Sequence, residues 1–295
     1  MNRTIALTVR ILLASITAGL ASGAAQAQAP AGDAAKLVPA EVRARGVLRV
    51  GSQQTFPPVE FREAGKTEVS GVSRDLLDEI ARRLGLKLEY VHGEYAALIS
   101  GLEADRFDLA SGGISDTEER EQKIDFVNYM FSGGAMMTLA EGPLAGAKTI
   151  DDFCGKALAT LLGSKVIMAA VDAASERCTK AGKPAIRTEQ LPSAPDARMQ
   201  LDLKRVDAYL GDFPALVYMG SQFPGRYKIV GGNYILTPYI TSWGFAKNRA
   251  ALRDAVQKAT QAMLADGSYK KLLDKWGVGG AALPAISVNL PASKR

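Results

Sequence analysis

One histidine and two cysteines are all that the 295-residue chain offers to thiol or soft-metal chemistry. The histidine, His92, follows an apolar alternation and precedes Gly93, where an exposed loop residue is the ordinary reading. With no carboxylate–histidine cluster around it, a transition-metal centre or a Cys/His nucleophile is poorly supported, and no cofactor is expected. Charge of one sign is also scarce. The net charge is +5, yet Arg3 and Arg10 sit at one end and Lys294 and Arg295 at the other, so the body is close to balanced. Without a dense basic stripe, nucleic acid is not a partner to expect. Long apolar runs are missing too: after Ala21 none approaches the ~20 residues that cross a bilayer.

What is present is ordinary globular composition, 47% hydrophobic and 23% charged, with length enough for two domains. Arg3 and Arg10 flank an apolar stretch, Ile11 to Ala21, and Ala25-Gln26-Ala27 fits a small-x-small cleavage site. This predicts a secretory signal and a mature chain from Gln28; an uncleaved anchor is the bland alternative. No cysteine lies near the cut to carry a lipid, so an exported product in the periplasm, free of an anchor, is expected. Export makes a disulfide between Cys154 and Cys178 the natural expectation.

Periodicity then organises the chain. Val47–Val50 reads as a strand, and Pro57-Pro58 keeps the following loop extended. Val59–Phe61 and Val69–Val72 pair across a turn at Gly65. Ser73 reads as an N-cap for a helix carrying Leu76, Leu77, Ile80, Ala81 and Leu84, stopped by Gly85. Leu86–Tyr90 alternates as a strand, Tyr95–Leu102 is helical, and Phe107–Ala110 is a buried strand ending in Ser111-Gly112-Gly113. This β-α-β-α-β order predicts parallel strands with helices on both faces.

After a strand at Ala135–Leu139 the pattern begins again. Thr149 with Asp152 resembles a capping box. Ala157–Leu161 is a strand, Gly163-Ser164 turns into a helix bearing Val166, Ile167, Ala170, Val171 and Ala174, and Ala185–Thr188 is a strand. A helix with Met199, Leu201 and Leu203 precedes the strand Val206–Leu210 and Gly211-Asp212. Residues after Tyr239 are too few to fold alone and are expected to complete the first unit. Two crossings, near 132–136 and 237–242, would join the lobes, with Gly133 and Gly134 absorbing rotation.

In an open parallel sheet, ligands sit beyond the carboxyl ends of the strands. Four such ends carry pointed residues: Gln53 and Phe56; Gly112, Gly113, Ser115 and Arg120; Gly163 and Ser164; and Asp212. Arginine matches a carboxylate with two parallel hydrogen bonds. A helix N-terminus near Ser164 favours an anion. A cation, an anion and neutral donors meeting in one cleft describe a receptor for a zwitterion, Arg120 taking the carboxylate and Asp212 the ammonium. Alternative readings stay open: Asp212 as a strand-end carboxylate in water, Arg120 as one half of a surface pair, and Phe56 and Tyr95 as core aromatics.

Ordered motifs carry a resemblance. They are Gly51-x4-Phe56-Pro57-Pro58-x-Glu60-Phe61, Gly71-x3-Asp75-Leu76, Ser115-x-Thr117-x2-Arg120, Asp152-Phe153-Cys154-Gly155-Lys156, Cys178-x2-Ala181-Gly182-Lys183-Pro184, Gly211-Asp212, Asp266-Gly267-Ser268-Tyr269 and Lys275-Trp276-Gly277. Over about Val47 to Gly277 the chain resembles the periplasmic polar-amino-acid-binding proteins of ABC importers, family 3 of the extracellular solute-binding proteins. The resemblance implies a two-lobed α/β fold, each lobe a mostly parallel sheet flanked by helices, joined by two hinge strands. It implies lobes at 46–133 with 240–280 and at 134–239, after a signal peptide (1–27) and a linker (28–45), and before a tail (281–295).

Roles are implied as well. Arg120 binds the α-carboxylate, helped by Ser115, Ser164 and Lys165; Asp212 binds the α-ammonium with the Gly113 carbonyl and the Ser115 hydroxyl; Phe56 and Tyr95 sandwich the ligand side chain; Leu161 adds an apolar wall. The Cys154–Cys178 bridge occurs in a subset of that family. Gln53 stands where binders of cationic amino acids often have an acid, which lowers lysine or arginine as ligand. Lys165 favours an acidic side chain if it faces the cleft and says nothing if it faces solvent. The resulting expectation is a monomeric, non-enzymatic receptor for a polar uncharged or aromatic L-amino acid, closing on its ligand and presenting it to a membrane permease. Two alternatives are a dehydratase of the same fold acting on a prephenate- or arogenate-like acid and a sensor domain. The first needs a cleft proton donor, the second a signalling segment.

Overall fold

The computed structural model of the protein describes residues 32–232 and 234–294. The expected signal peptide and its cleavage site lie outside these residues. Two short helices come first, α1 (Asp33–Lys36) and α2 (Ala40–Arg45). Then follow β1 (Val47–Ser52), β2 (Thr55–Phe56), β3 (Glu60–Arg62), β4 (Val69–Ser70), α3 (Val72–Leu84), β5 (Lys87–His92), α4 (Leu98–Glu103), β6 (Leu109–Asp116), α5 (Glu118–Glu121) and β7 (Ile124–Leu139). The second half contributes β8 (Ala157–Leu161), α6 (Lys165–Lys180), β9 (Arg187–Leu191), α7 (Ala194–Asp202), β10 (Ala208–Asp212), α8 (Phe213–Gln222) and β11 (Tyr227–Ile229). The chain continues through β12 (Thr237–Ala246), α9 (Ala250–Ala265) and α10 (Ser268–Lys275).

Among the described residues the main sheet runs β5-β1-β6-β12-β7-β10-β8-β9, with β11 on β7, and β2-β3-β4 form a small antiparallel sheet. Strands β1, β5 and β6 are parallel to one another, as are β8, β9 and β10. Between these two parallel sets, β12 lies antiparallel to both β6 and β7. The two crossing strands thus hydrogen-bond to each other along Thr237–Ala246 and Ile124–Gly134.

Two sets of buried side chains stand on either side of this seam. One joins Leu48, Val50, Leu76, Leu77 and Ile80 to Trp243, Leu252, Val256, Met263 and Tyr269. The other joins Met136, Ile150, Phe153, Leu158, Val171, Ala208 and Leu210. Residues after Tyr239 therefore return to the early core, because only there do the apolar stripes of α9 and α10 find a partner. Each fully buried Leu or Ile contributes on the order of 1.5–3 kcal/mol. Trp243 stacks on Tyr129 with ring centroids 4.1 Å apart. Its indole N–H donates to Ser73 Oγ over 2.9 Å.

Several local expectations are corrected. Residues 32–45 are not a coreless linker: Ala34, Val38 and Val42 are buried in the first core. Helix α3 starts at Val72 with Gly71, at φ 130°, as its cap residue, so Ser73 lies inside the helix and spends its hydroxyl on Ser111 and Trp243. Strand β6 does not stop at the glycine pair but runs on to Asp116, because β12 supplies partners for Ile114, Ser115 and Asp116. In α7 the buried face is Ala194, Ala197 and Leu201, while Met199 is 45% exposed. The small alanines allow close packing around Leu201, and Met199 and Leu203 point outward. Residues 281–294 are docked: Leu283 and Ile286 are buried and Val288 bridges to Val127.

The Thr149–Asp152 capping box forms, and Cys154 and Cys178 are joined across a sequence separation of 24. A loop of that length is worth roughly 3 kcal/mol in the chain-entropy picture. Reduction should therefore lower Tm by roughly 6–12 °C. Calorimetric scans with and without reductant check this; equal midpoints would show that the bridge constrains nothing.

Candidate functional site

Strand ends from both halves converge on one small cavity. Gln53, Gln54 and Phe56 follow β1, and Gly112 and Gly113 belong to β6. Leu161, Ser164 and Ile167 come from β8 and the start of α6, and Asp212 ends β10. Tyr95, Tyr209 and Tyr239 complete the walls of a cavity of about 40 Å³. Gly113 has a positive φ of 88°, and a Cβ there would come within 2.8 Å of the Phe56 ring. The absent side chain is what lets Phe56 lie flat against the backbone. Gly133 and Gly134 have a different reason from rotation alone: a Cβ would meet Ile235 at 2.5 Å and Ile167 at 3.0 Å.

Asp212 is the one charged side chain among the residues that line this cavity. It is 2% exposed and caps α8. Its Oδ2 accepts from Ser132 Oγ at 2.6 Å and from the Tyr239 hydroxyl at 3.0 Å. Its Oδ1 has no partner. Burial pushes the carboxyl up to about 6, against the opposing pull of the Ser132, Tyr239 and Ala215 hydrogen bonds. A buried carboxylate with one unpartnered oxygen, among aromatic walls, is a strong acceptor for a cation that brings its own N–H donors.

Arg120 sits next door. Thr117 caps the turn that carries it, the Arg120 backbone N–H donating to Thr117 Oγ1. The side chain is buried, with Nη1 donating to both the Ser115 carbonyl and the Ser115 hydroxyl, at 3.0 and 2.8 Å. Nη2 donates across the cleft to the Gly163 carbonyl at 3.0 Å. The guanidinium lies over the Tyr95 ring, 6.0 Å from its centroid. It lines an outer groove of about 220 Å³ with Gly163, Glu119 and Lys165, rather than the inner cavity of Asp212. Tyr95 lines both. Arg120 and Asp212 thus line two hollows that share Tyr95. Ser115 lines neither hollow, and its hydroxyl accepts from Arg120.

Other expected residues fall as follows. Gln53 Nε2 donates to the Pro192 carbonyl at 2.6 Å, another bond across the cleft, and to Glu94 Oε2 at 2.8 Å. An acid therefore stands behind the amide. Lys165 does not reach the inner cavity; as the first residue of α6 it turns outward and pairs with Glu119, both side chains being mostly exposed. Residues that the sequence reading missed are Ser132 and Tyr239, which hold Asp212, and the wall residues Gln54, Ile167 and Tyr209. Beneath Gly112 lies a further polar cluster, Glu60 with Ser111 and Tyr90, each hydroxyl donating to Glu60 Oε2 at 2.9 Å. Burial pushes Glu60 upward. A roomier recess of about 560 Å³ behind the crossing strands presents Phe131, Phe213 and Trp276 and no charged side chain, so it offers a zwitterion nothing. Among the described residues no cluster of metal-ligating side chains occurs.

The model of the bacterial extracellular solute-binding proteins, family 3, matches residues 48–279. The chain belongs to that family. Among its relatives is the arginine-binding protein ArgT of Corynebacterium glutamicum, 28% identical over 256 residues, covering 86% of this chain and 81% of the relative. The L-cystine-binding protein TcyA of Bacillus subtilis is 27% identical, over 80% of this chain and 83% of the relative. An ancestral arginine-binding protein solved with glutamine bound superposes with a TM-score of 0.70 at 28% identity, covering 79% of this chain and 99% of that one. An ancestral amino-acid-binding protein described as a precursor of cyclohexadienyl dehydratase superposes at 0.68 with 26% identity, covering 80% and 97%. Like these family members, the chain has two lobes with a mixed α/β architecture.

Proposed function

We propose that this family 3 protein is the receptor of an ABC importer, capturing a free L-amino acid between its lobes and delivering it to a membrane permease. The observation that carries the reading is Asp212: a fully buried carboxylate, fixed by Ser132 and Tyr239, with one oxygen unpartnered on a cavity walled by Phe56, Tyr95 and Tyr209. The ammonium of an amino acid supplies what that oxygen lacks. Its carboxylate takes the Arg120 fork in exchange for the Gly163 carbonyl, as the Gly163-Ser164 turn moves aside. Gln53, Gly113, Leu161 and Ser164 line the space left for the side chain, and Lys165 is dropped from the set. Only the closed arrangement lets both ends of the ligand be held, so binding shifts the lobes towards closure. Micromolar capture needs about 8 kcal/mol. Two charge-assisted ends and burial between aromatics are of that order, and no covalent step is required.

The apolar walls support a polar uncharged or aromatic side chain. The relatives named for arginine put a cationic one beside it, and Glu94 behind Gln53 is the group that would meet it. Calorimetric titration of the twenty L-amino acids tests the proposal, with Glu94→Gln as the companion variant. At least one should bind one-to-one at micromolar affinity, its D-enantiomer should not, and Glu94→Gln should leave the affinity within about twofold. Silence across the whole panel would overturn the reading. A dehydratase of a prephenate- or arogenate-like acid is the second reading, favoured by the raised Asp212, since such chemistry needs a carboxyl that still holds a proton. Incubation with prephenate or arogenate and a search for aromatic product distinguishes it; we expect none.

A further inference from the structure

Behind Arg120 two more carboxyls face each other. Asp116 ends β6 and Glu121 ends α5, so they bracket the Ser115–Arg120 clasp from its far side. Asp116 Oδ1 and Glu121 Oε1 are both buried and neither is offered a donor. The two side chains lie within hydrogen-bonding reach of one another. Two bare carboxylate oxygens cannot rest together in a buried site unless a proton lies between them. The surroundings fix which group holds it. Lys294 pairs with Glu121 at 3.4 Å. Asp116 Oδ2 accepts from Asn128 Nδ2 at 2.8 Å, and the Leu290 backbone N–H also contributes. Burial and the facing Glu121 charge leave the proton on Asp116, against the pull of these two donors. Of the neighbouring charged residues, Glu118, on the same turn, accepts from Ser293, and Arg120 points to Ser115 and Gly163.

We propose that Asp116 and Glu121 are positioning residues: the proton they share ties the two ends of the Arg120 turn together, so that carboxylate capture weakens as the pH rises past neutrality. The inference rests on Arg120 being the carboxylate anchor. Once the proton leaves, two buried like charges repel. The ends of the turn separate, and the Ser115–Arg120 clasp that aims the guanidinium opens. Burial is the main cause that raises the Asp116 carboxyl, to about 7, and the Glu121 charge adds to it. The sign follows. A folded-state value above the unfolded one means stability is greatest at low pH and declines between about 4 and about 7. If the ionised form holds the ligand poorly, Kd rises by up to about tenfold from pH 6 to pH 8.

The test uses the full chain, the Asp116→Asn and Glu121→Gln variants, and Arg120→Ala. Side-chain carboxyl ¹³C shifts are followed through a pH titration without ligand, and the twenty L-amino acids are each titrated at pH 6 and pH 8. One carboxyl of the pair should titrate near neutrality. The best-binding amino acid should weaken several-fold between the two pH values in the wild type. Either amide variant, carrying a permanent N–H in place of the proton, should hold its affinity at pH 8. Ordinary titration of the Asp116 carboxyl, or the same pH dependence in wild type and variants, overturns the inference while leaving the receptor reading intact. Amino-acid binding that survives Arg120→Ala overturns the anchor assignment instead. No binding by any amino acid at either pH removes both.

Discussion

Replacing Arg120 with alanine should raise the Kd for the best-binding amino acid by at least about 100-fold. The guanidinium is buried, its fork is aligned by two bonds to Ser115, and its second arm reaches the opposite lobe at Gly163. Removing one member of a buried, hydrogen-bonded charge pair costs on the order of 2–5 kcal/mol, part of it the penalty of leaving the partner charge bare. Here the partner is the ligand carboxylate, which would be left facing the Tyr95 ring and carbonyl oxygens. Lysine should recover only part of the loss, because an ammonium keeps the charge but not the planar fork. Calorimetry at neutral pH measures both; an unchanged Kd in the alanine variant would falsify the anchor assignment.

Asp212→Asn should produce the second-largest loss, roughly 30- to 1000-fold, with an opposite effect on the protein alone. An amide cannot balance a buried ammonium, so ligand affinity falls. Yet the unliganded wild type holds a carboxylate that burial raises to about 6, and removing that charge should raise Tm. The pH dependence follows the same sign. Protonation of Asp212 competes with the ligand, so wild-type affinity should drop about tenfold per unit below pH 6 and level off above about 7. With the Asp116–Glu121 pair acting from the alkaline side, binding should be tightest around pH 6–7. Titrations across this range, paired with thermal scans of the asparagine variant, check both halves. Loss of affinity with loss of stability would mean that Asp212 is a structural cap and nothing more.

The parts of this architecture that local pattern could reveal were those in which one element dictates its own behaviour. Helices α3 and α9 announce their buried stripes at 3.6-residue spacing, and Leu48, Val50, Leu158 and Leu210 mark buried strand positions. The place of Asp212 on the cavity was legible because it ends a strand of a parallel set, where ligands are expected. What local pattern could not show was pairing at long range. Ser132 and Tyr239 lie 80 and 27 residues from Asp212, and nothing about either marks it as a carboxylate's partner. Arg120 was found, but its hold on Gly163 runs to a backbone carbonyl, an acceptor that every residue carries. The direction of Lys165 could not be read locally, because the start of a helix has an inner and an outer side, and its pairing with the distant Glu119 decides between them. The helices at Asp33–Arg45 were hidden by alanines that serve equally well in a linker and a tightly packed helix.

Strand β12 places Tyr239 against Asp212 near one end and buries Trp243 in the first core a few residues later. Between them β7 yields one residue, opposite the step from Thr241 to Ser242. A strand's side chains alternate faces, so adding or deleting a single residue in this stretch would turn one of those two groups away from its task. Ligand chemistry and folding are therefore geared through one short ruler. Surface loops can lengthen freely over evolution, but the spacing between Tyr239 and Trp243 cannot change without losing either the binding site or the fold.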